Sequence, residues 1–161
     1  SNRWRGRLAA MPDAPFRAAV PITAGDMLRS GGIDLDAVAS IAPRVAPDTV
    51  SVRVASPWFR RVWARGISAV TMPWAIYVTP AVMERYRAGA DPRRTGRLMV
   101  HELMHVEQWR RLGGFRHLTQ YVGVFLRGRA GGLTHWEAYR AVRLEREARA
   151  AALLVAETES R

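Results

Sequence analysis

The segment from Asp91 to Gly114 constrains the fold more than any other part of this sequence. Asp91 is a favourable helix N-cap, Pro92 suits the first helical position, and Gly113 and Gly114 supply a stop signal. These signals predict a helix over residues 92–112. The residues around its centre are mostly apolar, so we expect a buried helix on which the rest of the chain packs: Leu98, Val100, Leu103, Met104 and Val106.

Three polar residues interrupt this apolar segment, namely His101, Glu102 and His105. A spacing of four residues places the two imidazoles on one helical face, where both can bind one ion at about 2.0–2.1 Å. Burying two histidines and a glutamate together without a metal would be costly. The H-E-x-x-H pattern therefore predicts a Zn²⁺ site held by the two histidines, with Glu102 as the general base for a metal-activated water.

A catalytic zinc site needs a third protein ligand, and the chain contains no cysteine to supply it. The third histidine of a metzincin would fall at position 111, which is Arg111, so that class is excluded. A carboxylate from a second, packed helix would complete a tetrahedral site and leave the fourth position for water. The candidates for this ligand after His105 are His117, His135, Glu137, Glu145 and Glu147.

A helical H-E-x-x-H followed by glutamates in a later helix resembles the gluzincins, and is most similar to the minigluzincins and the prenyl-protein endopeptidases. In these zinc metallopeptidases the later helix carries a Glu followed three residues on by Ala and then Asp. Glu145 and Ala148 match that pattern, whereas Arg149 stands in the place of the Asp. The resemblance covers roughly residues 50–156.

The resemblance implies that the protein is a zinc metalloendopeptidase, a hydrolase of peptide bonds, with Glu145 as the third metal ligand. It also implies that an edge strand near residues 67–79 lies beside a protein or peptide substrate. Glu147 and Glu137 remain alternatives to Glu145, although Glu147 fits a solvated helix face and Glu137 fits a capping role. The residues considered for oxyanion or substrate contacts are Tyr139, His135 and Tyr121.

The remaining patterns predict an α+β fold, in which a small N-terminal β-sheet packs on a helical bundle that carries the H-E-x-x-H helix, as in zincins. We expect strands at 48–54 and 67–79, the latter as one or two strands around Pro73, and helices over 34–41, 115–126 and 135–155. Thr134 and Glu137 form a predicted capping box. Residues 1–33 are expected to be an arm or a loosely packed lead-in with a short helix near 24–30, and residues 34–161 to form a single domain.

The formal charge is +11, and all 25 basic residues are Arg. This excess fits a GC-rich genome and a solvated surface, and an acidic partner is the alternative interpretation. We find no clear nucleic-acid-binding motif. No apolar run approaches the length of a transmembrane segment, and cytoplasmic localisation is the default expectation. Two alternatives to a peptidase stay open: a catalytically silent metal-binding interaction module and a nucleic-acid-associated peptidase.

Overall fold

The computed structural model describes residues 20–61, 63, 66–134, 137–138 and 142–158. Short helices alternate with strands in the first half of this part, and the second half is helical, so the fold is α+β as predicted. The helices and strands are α1 (Ala24–Ser30), α2 (Leu35–Ile41), a 3-10 turn (Pro47–Thr49), β1 (Ser51–Val54), α3 (Pro57–Arg60), β2 (Ala69–Met72), β3 (Ala75–Val78), α4 (Pro80–Arg87), α5 (Pro92–Leu112), α6 (Gly114–Ala130) and α7 (Arg143–Thr158).

The three strands form one sheet in the order β1-β3-β2. β1 runs parallel to β3, with Ser51 opposite Ala75, and β2 runs antiparallel to β3, with Met72 opposite Ala75. The predicted strand region 67–79 is therefore a hairpin whose turn contains Pro73. Proline is tolerated there because its missing N–H is not needed for the ladder.

The two edges of the sheet differ. At the outer edge of β1, the Val52 N–H donates to Ile22 O at 2.8 Å and the Ala24 N–H donates to Val50 O at 2.9 Å. The outer edge of β2 has no strand partner among the described residues. The edge expected at 67–79 is thus confined to β2, because β3 is the central strand.

α5 is the central helix of the core and has the predicted bounds. The Asp91 side chain accepts a hydrogen bond from the Arg94 N–H, and Gly113 ends the helix with a positive φ of 75° that favours glycine. One side of α5 packs on the sheet and on α1, while α7 packs along another side. The apolar core of this packing includes Met27, Leu28, Ile76, Val78, Met99, Val100, Leu103 and Val106.

The lead-in segment differs from the expectation of loose packing. The short helix near residues 24–30 is present as α1, but Met27 and Leu28 are fully buried and Ile33 is 5% exposed. These residues belong to the same core as α5, so the predicted boundary at residue 33 is wrong for this part. Composition alone did not reveal it, because α1 is too short for a clear periodicity. Residues 1–19 lie outside the described residues.

One further helix was missed, and two helix predictions need correction. α4 was not predicted, although Thr79 caps it and Pro80 occupies its first turn. α6 continues to Ala130 through Gly128 instead of ending near residue 126, since a single glycine costs a helix only about 1 kcal/mol. The continuous helix over 135–155 is wrong, because the buried residue Val142 is not helical and α7 begins after it.

None of the helices in the described part of the chain is long and apolar enough to cross a membrane.

Candidate metal centre

Two histidines of α5 and one glutamate of α7 meet at the packed interface of these helices. His105 Nε2 lies 3.2 Å from His101 Nε2 and 3.3 Å from Glu145 Oε1, and His101 Nε2 lies 3.4 Å from Glu145 Oε2. His105 and Glu145 are buried, whereas His101 is half-buried. The fold therefore brings together the three side chains that the sequence selected as candidate ligands.

The donor set and its spacing fit a tetrahedral cation. Ligand atoms bound at about 2.0–2.1 Å in a tetrahedron lie about 3.3 Å from one another. The two imidazole Nε2 atoms are 3.2 Å apart. Glu145 approaches His105 with Oε1 at 3.3 Å and His101 with Oε2 at 3.4 Å, so each imidazole has a different carboxylate oxygen at this spacing. Glu145 Oε2 is buried and accepts no well-formed hydrogen bond among the described residues. A buried carboxylate oxygen without a hydrogen bond is costly unless a cation compensates it.

The electrostatics of the cluster also call for positive charge. Burial alone would lower the pKa of His105, but its interactions with Glu145 and the nearby charge of Glu102 raise it above its ordinary value. Burial alone would raise the pKa of Glu145, yet the imidazoles of His101 and His105 hold it well below its usual range. The carboxylate therefore stays ionised, and either a proton or a metal cation has to balance it.

Glu102 lies beside this cluster and is not part of it. Its side chain is buried, and its Oε2 accepts a 2.6 Å hydrogen bond from the Thr71 hydroxyl of β2. Thr71 Oγ1 also lies 3.3 Å from the Glu102 carbonyl oxygen. Thr71 was not singled out by the sequence, because only the packing of β2 on α5 brings it here. This hydrogen bond fixes the orientation of the Glu102 carboxylate.

A cleft of about 270 Å³ opens beside the histidines. Its described walls are residues 66–69, which lead into β2, Leu98, His101 and Glu102 of α5, and Arg149 of α7. The half-buried histidine and the candidate base therefore face the same space. A small molecule or an extended peptide segment entering this space meets both groups.

Arg149, which replaces the Asp expected from the gluzincin resemblance, lies at the wall of this cleft. One of its guanidinium nitrogens is 3.8 Å from Glu145 Oε2. The substitution thus places a cationic group beside the candidate ligand, where the resemblance implies an anionic one. A positive group in this position favours negative charge that develops within the cleft.

The other candidate carboxylates lie elsewhere. Glu147 pairs with Arg111 at 3.0 Å and with Arg143 at 2.9 Å, in agreement with the expected solvated face. Glu137 accepts hydrogen bonds from the backbone N–H and the hydroxyl of Thr134 at 2.8 and 2.7 Å. The predicted capping box is therefore confirmed, and these contacts lower the pKa of Glu137.

The residues considered for oxyanion or substrate contacts are not placed by the structure. His135 and Tyr139 lie outside the described residues. Tyr121 and His117 belong to α6, but their side chains are not among those described. Their proposed roles stay predictions.

Gln108 is a residue whose role the sequence did not indicate. It is fully buried one turn beyond His105. Its Oε1 lies 2.8 Å from His105 Nδ1, and its Nε2 donates to the carbonyl oxygen of Leu144 at 2.9 Å. No periodicity signal distinguishes such a buried amide, because its partner Leu144 lies on a distant helix.

No family model matches the chain, and neither a curated protein nor a solved structure matches it. The fold and the site together define an α+β protein with a buried cluster of two histidines and one glutamate beside a cleft. The gluzincin resemblance rests on the sequence motif alone.

Proposed function

We propose that this protein is a zinc-dependent metallopeptidase in which His101, His105 and Glu145 hold the metal and Glu102 is the general base. The observation that carries the proposal is the convergence of two imidazole nitrogens and a buried carboxylate, whose potential ligand atoms lie within 4.8 Å of one another. Two imidazoles and one carboxylate are a ligand set typical of catalytic zinc. The cluster itself is compatible with other divalent ions, so the identity of the metal needs a direct measurement.

Bound zinc would polarise the scissile carbonyl and lower the pKa of a water molecule toward about 7. Glu102 would take a proton from the attacking water, and the hydrogen bond from the Thr71 hydroxyl to its Oε2 orients the carboxylate for this transfer. The same carboxyl group then passes the proton to the leaving amine as the peptide bond breaks. Thr71 keeps the carboxylate in one orientation during both transfers.

The edge of β2 offers a means to align an extended substrate. Thr79 N–H donates to Ser68 O at 3.0 Å, so residues 68 and 79 form a hydrogen-bonded pair of the antiparallel hairpin. Because such pairs alternate, the backbone N–H and C=O groups of Ala69 and Thr71 point away from β3. A peptide that adds to these groups as a further strand would run along the cleft beside Glu102.

Arg149 of α7 supplies positive charge at the wall of the cleft. As water attacks, the carbonyl oxygen gains negative charge, and a nearby guanidinium stabilises that charge. We therefore include Arg149 in the proposed site. Its guanidinium nitrogen lies 3.8 Å from Glu145 Oε2, so the group is also close to a proposed metal ligand.

The proposal is tested by metal analysis of the purified protein, an anomalous-scattering map and hydrolysis of a peptide library. We expect one zinc per chain at the cluster. Glu102→Gln should retain zinc and lose about 10²–10⁴-fold in hydrolysis, which is the usual contribution of a general base. The matched control is Glu84→Gln, which changes an exposed glutamate of α4 and should leave both zinc content and hydrolysis unchanged.

Three results would contradict parts of the proposal. Full hydrolytic activity in Glu102→Gln would refute the general-base mechanism. Zinc at the cluster without turnover of any peptide would favour a silent metal-binding module instead. Absence of zinc after incubation with excess metal would remove the site itself.

A further inference from the structure

Gln108 contacts the metal-site histidine from the side opposite to the candidate metal. It lies on α5 three residues after His105, is fully buried, and makes hydrogen bonds in two directions. A buried amide is costly unless its oxygen and its NH₂ group are both satisfied. Here the oxygen meets the imidazole, while the NH₂ group meets Leu144 O at 2.9 Å and Glu147 Oε2 at 3.4 Å.

The neighbours of Gln108 determine which way its amide points. The carbonyl oxygen of Leu144 and the carboxylate of Glu147 only accept hydrogen bonds, so the NH₂ group has to face them. The amide oxygen then faces His105 Nδ1 at 2.8 Å, and that nitrogen has to carry a proton. In the neutral ring the lone pair is consequently on Nε2, which faces His101 and Glu145.

The same amide connects the two helices that contribute ligands. Leu144 directly precedes Glu145 in the first turn of α7, so the hydrogen bond from Gln108 holds that turn against α5. Glu147, at the far end of the network, is itself held by Arg111 and Arg143. The position of the His105 ring and the position of the Glu145 carboxylate are therefore coupled through one buried side chain.

We propose that Gln108 is a positioning residue for the metal centre, because it keeps His105 in the tautomer with Nδ1 protonated and ties that imidazole to the turn that carries Glu145. This inference rests on the proposed zinc site. Outer partners of this kind typically contribute 10–100-fold to metal affinity.

The first test is zinc affinity, measured by competition with a chelating dye. Gln108→Met keeps the length of the side chain but removes the amide, and we expect its Kd for zinc to rise about 10–100-fold. The control is Leu103→Met, a volume-conserving change of a fully buried residue on the same helix, which should bind zinc as the wild type does. Circular dichroism of the zinc-free proteins shows whether each variant has folded.

The second test determines which nitrogen of the His105 imidazole carries the proton. It uses the wild-type protein, so it does not require a variant to fold. Long-range ¹H–¹⁵N spectra of the zinc-free wild type, at a pH where His105 is neutral, should show the proton on Nδ1. A proton on Nε2 in the wild type would overturn the inference. In folded Gln108→Met we expect the population to shift toward the Nε2–H form.

These experiments distinguish a failure of the inference about Gln108 from a failure of the proposed zinc site. Wild-type protein that binds zinc, together with Gln108→Met of unchanged affinity, would overturn the role of Gln108 alone. Wild-type protein that binds no zinc would overturn the proposed metal site and this inference with it.

Discussion

The close approach of α1 to the metal-site helix is tested by substitution of Gly96. A Cβ atom added at Gly96 of α5 would lie 2.7 Å from Ile33 Cγ1 and 3.2 Å from the Cα of Gly31, just beyond α1. The side chain of Ile33 can shift, but the backbone of Gly31 is fixed by packing. Gly96→Ala therefore forces the two segments apart at a buried contact.

Two opposing terms set the expected magnitude. Alanine is more favourable than glycine in a helix interior by about 0.8–1 kcal/mol, whereas overpacking a buried contact costs about 1–3 kcal/mol. We expect Gly96→Ala to lose about 1–2 kcal/mol of unfolding free energy. Gly123 of α6 is the matched control, because an added Cβ there meets no heavy atom within 4 Å. Gly123→Ala should gain up to about 1 kcal/mol.

Urea denaturation in the presence of a chelator measures both changes without a contribution from bound metal. The two variants should shift the midpoint in opposite directions with an unchanged slope. A Gly96→Ala protein as stable as the wild type would show that α1 and α5 do not approach as closely as described. A destabilised Gly123→Ala protein would refute the propensity term used in the calculation.

Two further predictions concern the candidate base and a capping residue. Thr71→Val should lower kcat roughly 10-fold or more, since a hydrogen bond to a charged group is worth about 1.5–3 kcal/mol, and Thr71→Ser should restore it. Zinc content measured in parallel should not change, and equal kcat in the Val variant would contradict the role of Thr71. At the start of α1, hydrogen bonds from the Thr23 N–H and hydroxyl lower the pKa of Asp26 from its ordinary 3.8. The ionised carboxylate therefore stabilises the folded protein above that pH, and this stabilisation disappears as the pH falls through the lowered pKa. At pH 7, Asp26→Asn should have an unfolding free energy lower than that of the wild type by about 0.3–1 kcal/mol. In acid, the two proteins should be equally stable. A gap between the two urea midpoints that persists in acid would contradict this assignment.

The sequence was sufficient to predict a helix where the residues that begin and end it lie within the same segment. The bounds of α5 follow from Asp91, Pro92 and Gly113, and the four-residue spacing of its histidines places both rings on one face. The burial of this helix followed from its apolar flanks. Its polar residues are correspondingly buried, with Glu102 4% and His105 8% exposed.

Structural features that depend on contacts between distant segments could not be predicted from local sequence patterns. The central position of β3 depends on its parallel pairing with β1, which leaves no mark on the sequence of either strand. The break in helical structure at Val142 lies at a buried position, and neither Val142 nor the equally buried Leu144 is a residue type that signals such a break. The roles of Thr71 and Gln108 likewise arise only when β2 and α7 pack on α5.

The precision of the site depends on how α5 is held on both sides of the histidines. Toward its start, Gly96 approaches Gly31 closely, and toward its end the buried Glu107 accepts hydrogen bonds from the backbone N–H and the side chain of Arg44 at 2.9 and 2.6 Å. Gln108 adds the contact to α7. Functional groups need to be placed within about 0.5 Å to act together, and an added methyl group at Gly96 would displace the backbone of Gly31 by a few tenths of an ångström, a comparable distance. The ligands themselves cannot supply this precision, because imidazole and carboxylate side chains rotate freely when unsupported. The contacts outside the ligand set therefore determine whether three donor atoms on two helices meet around one ion.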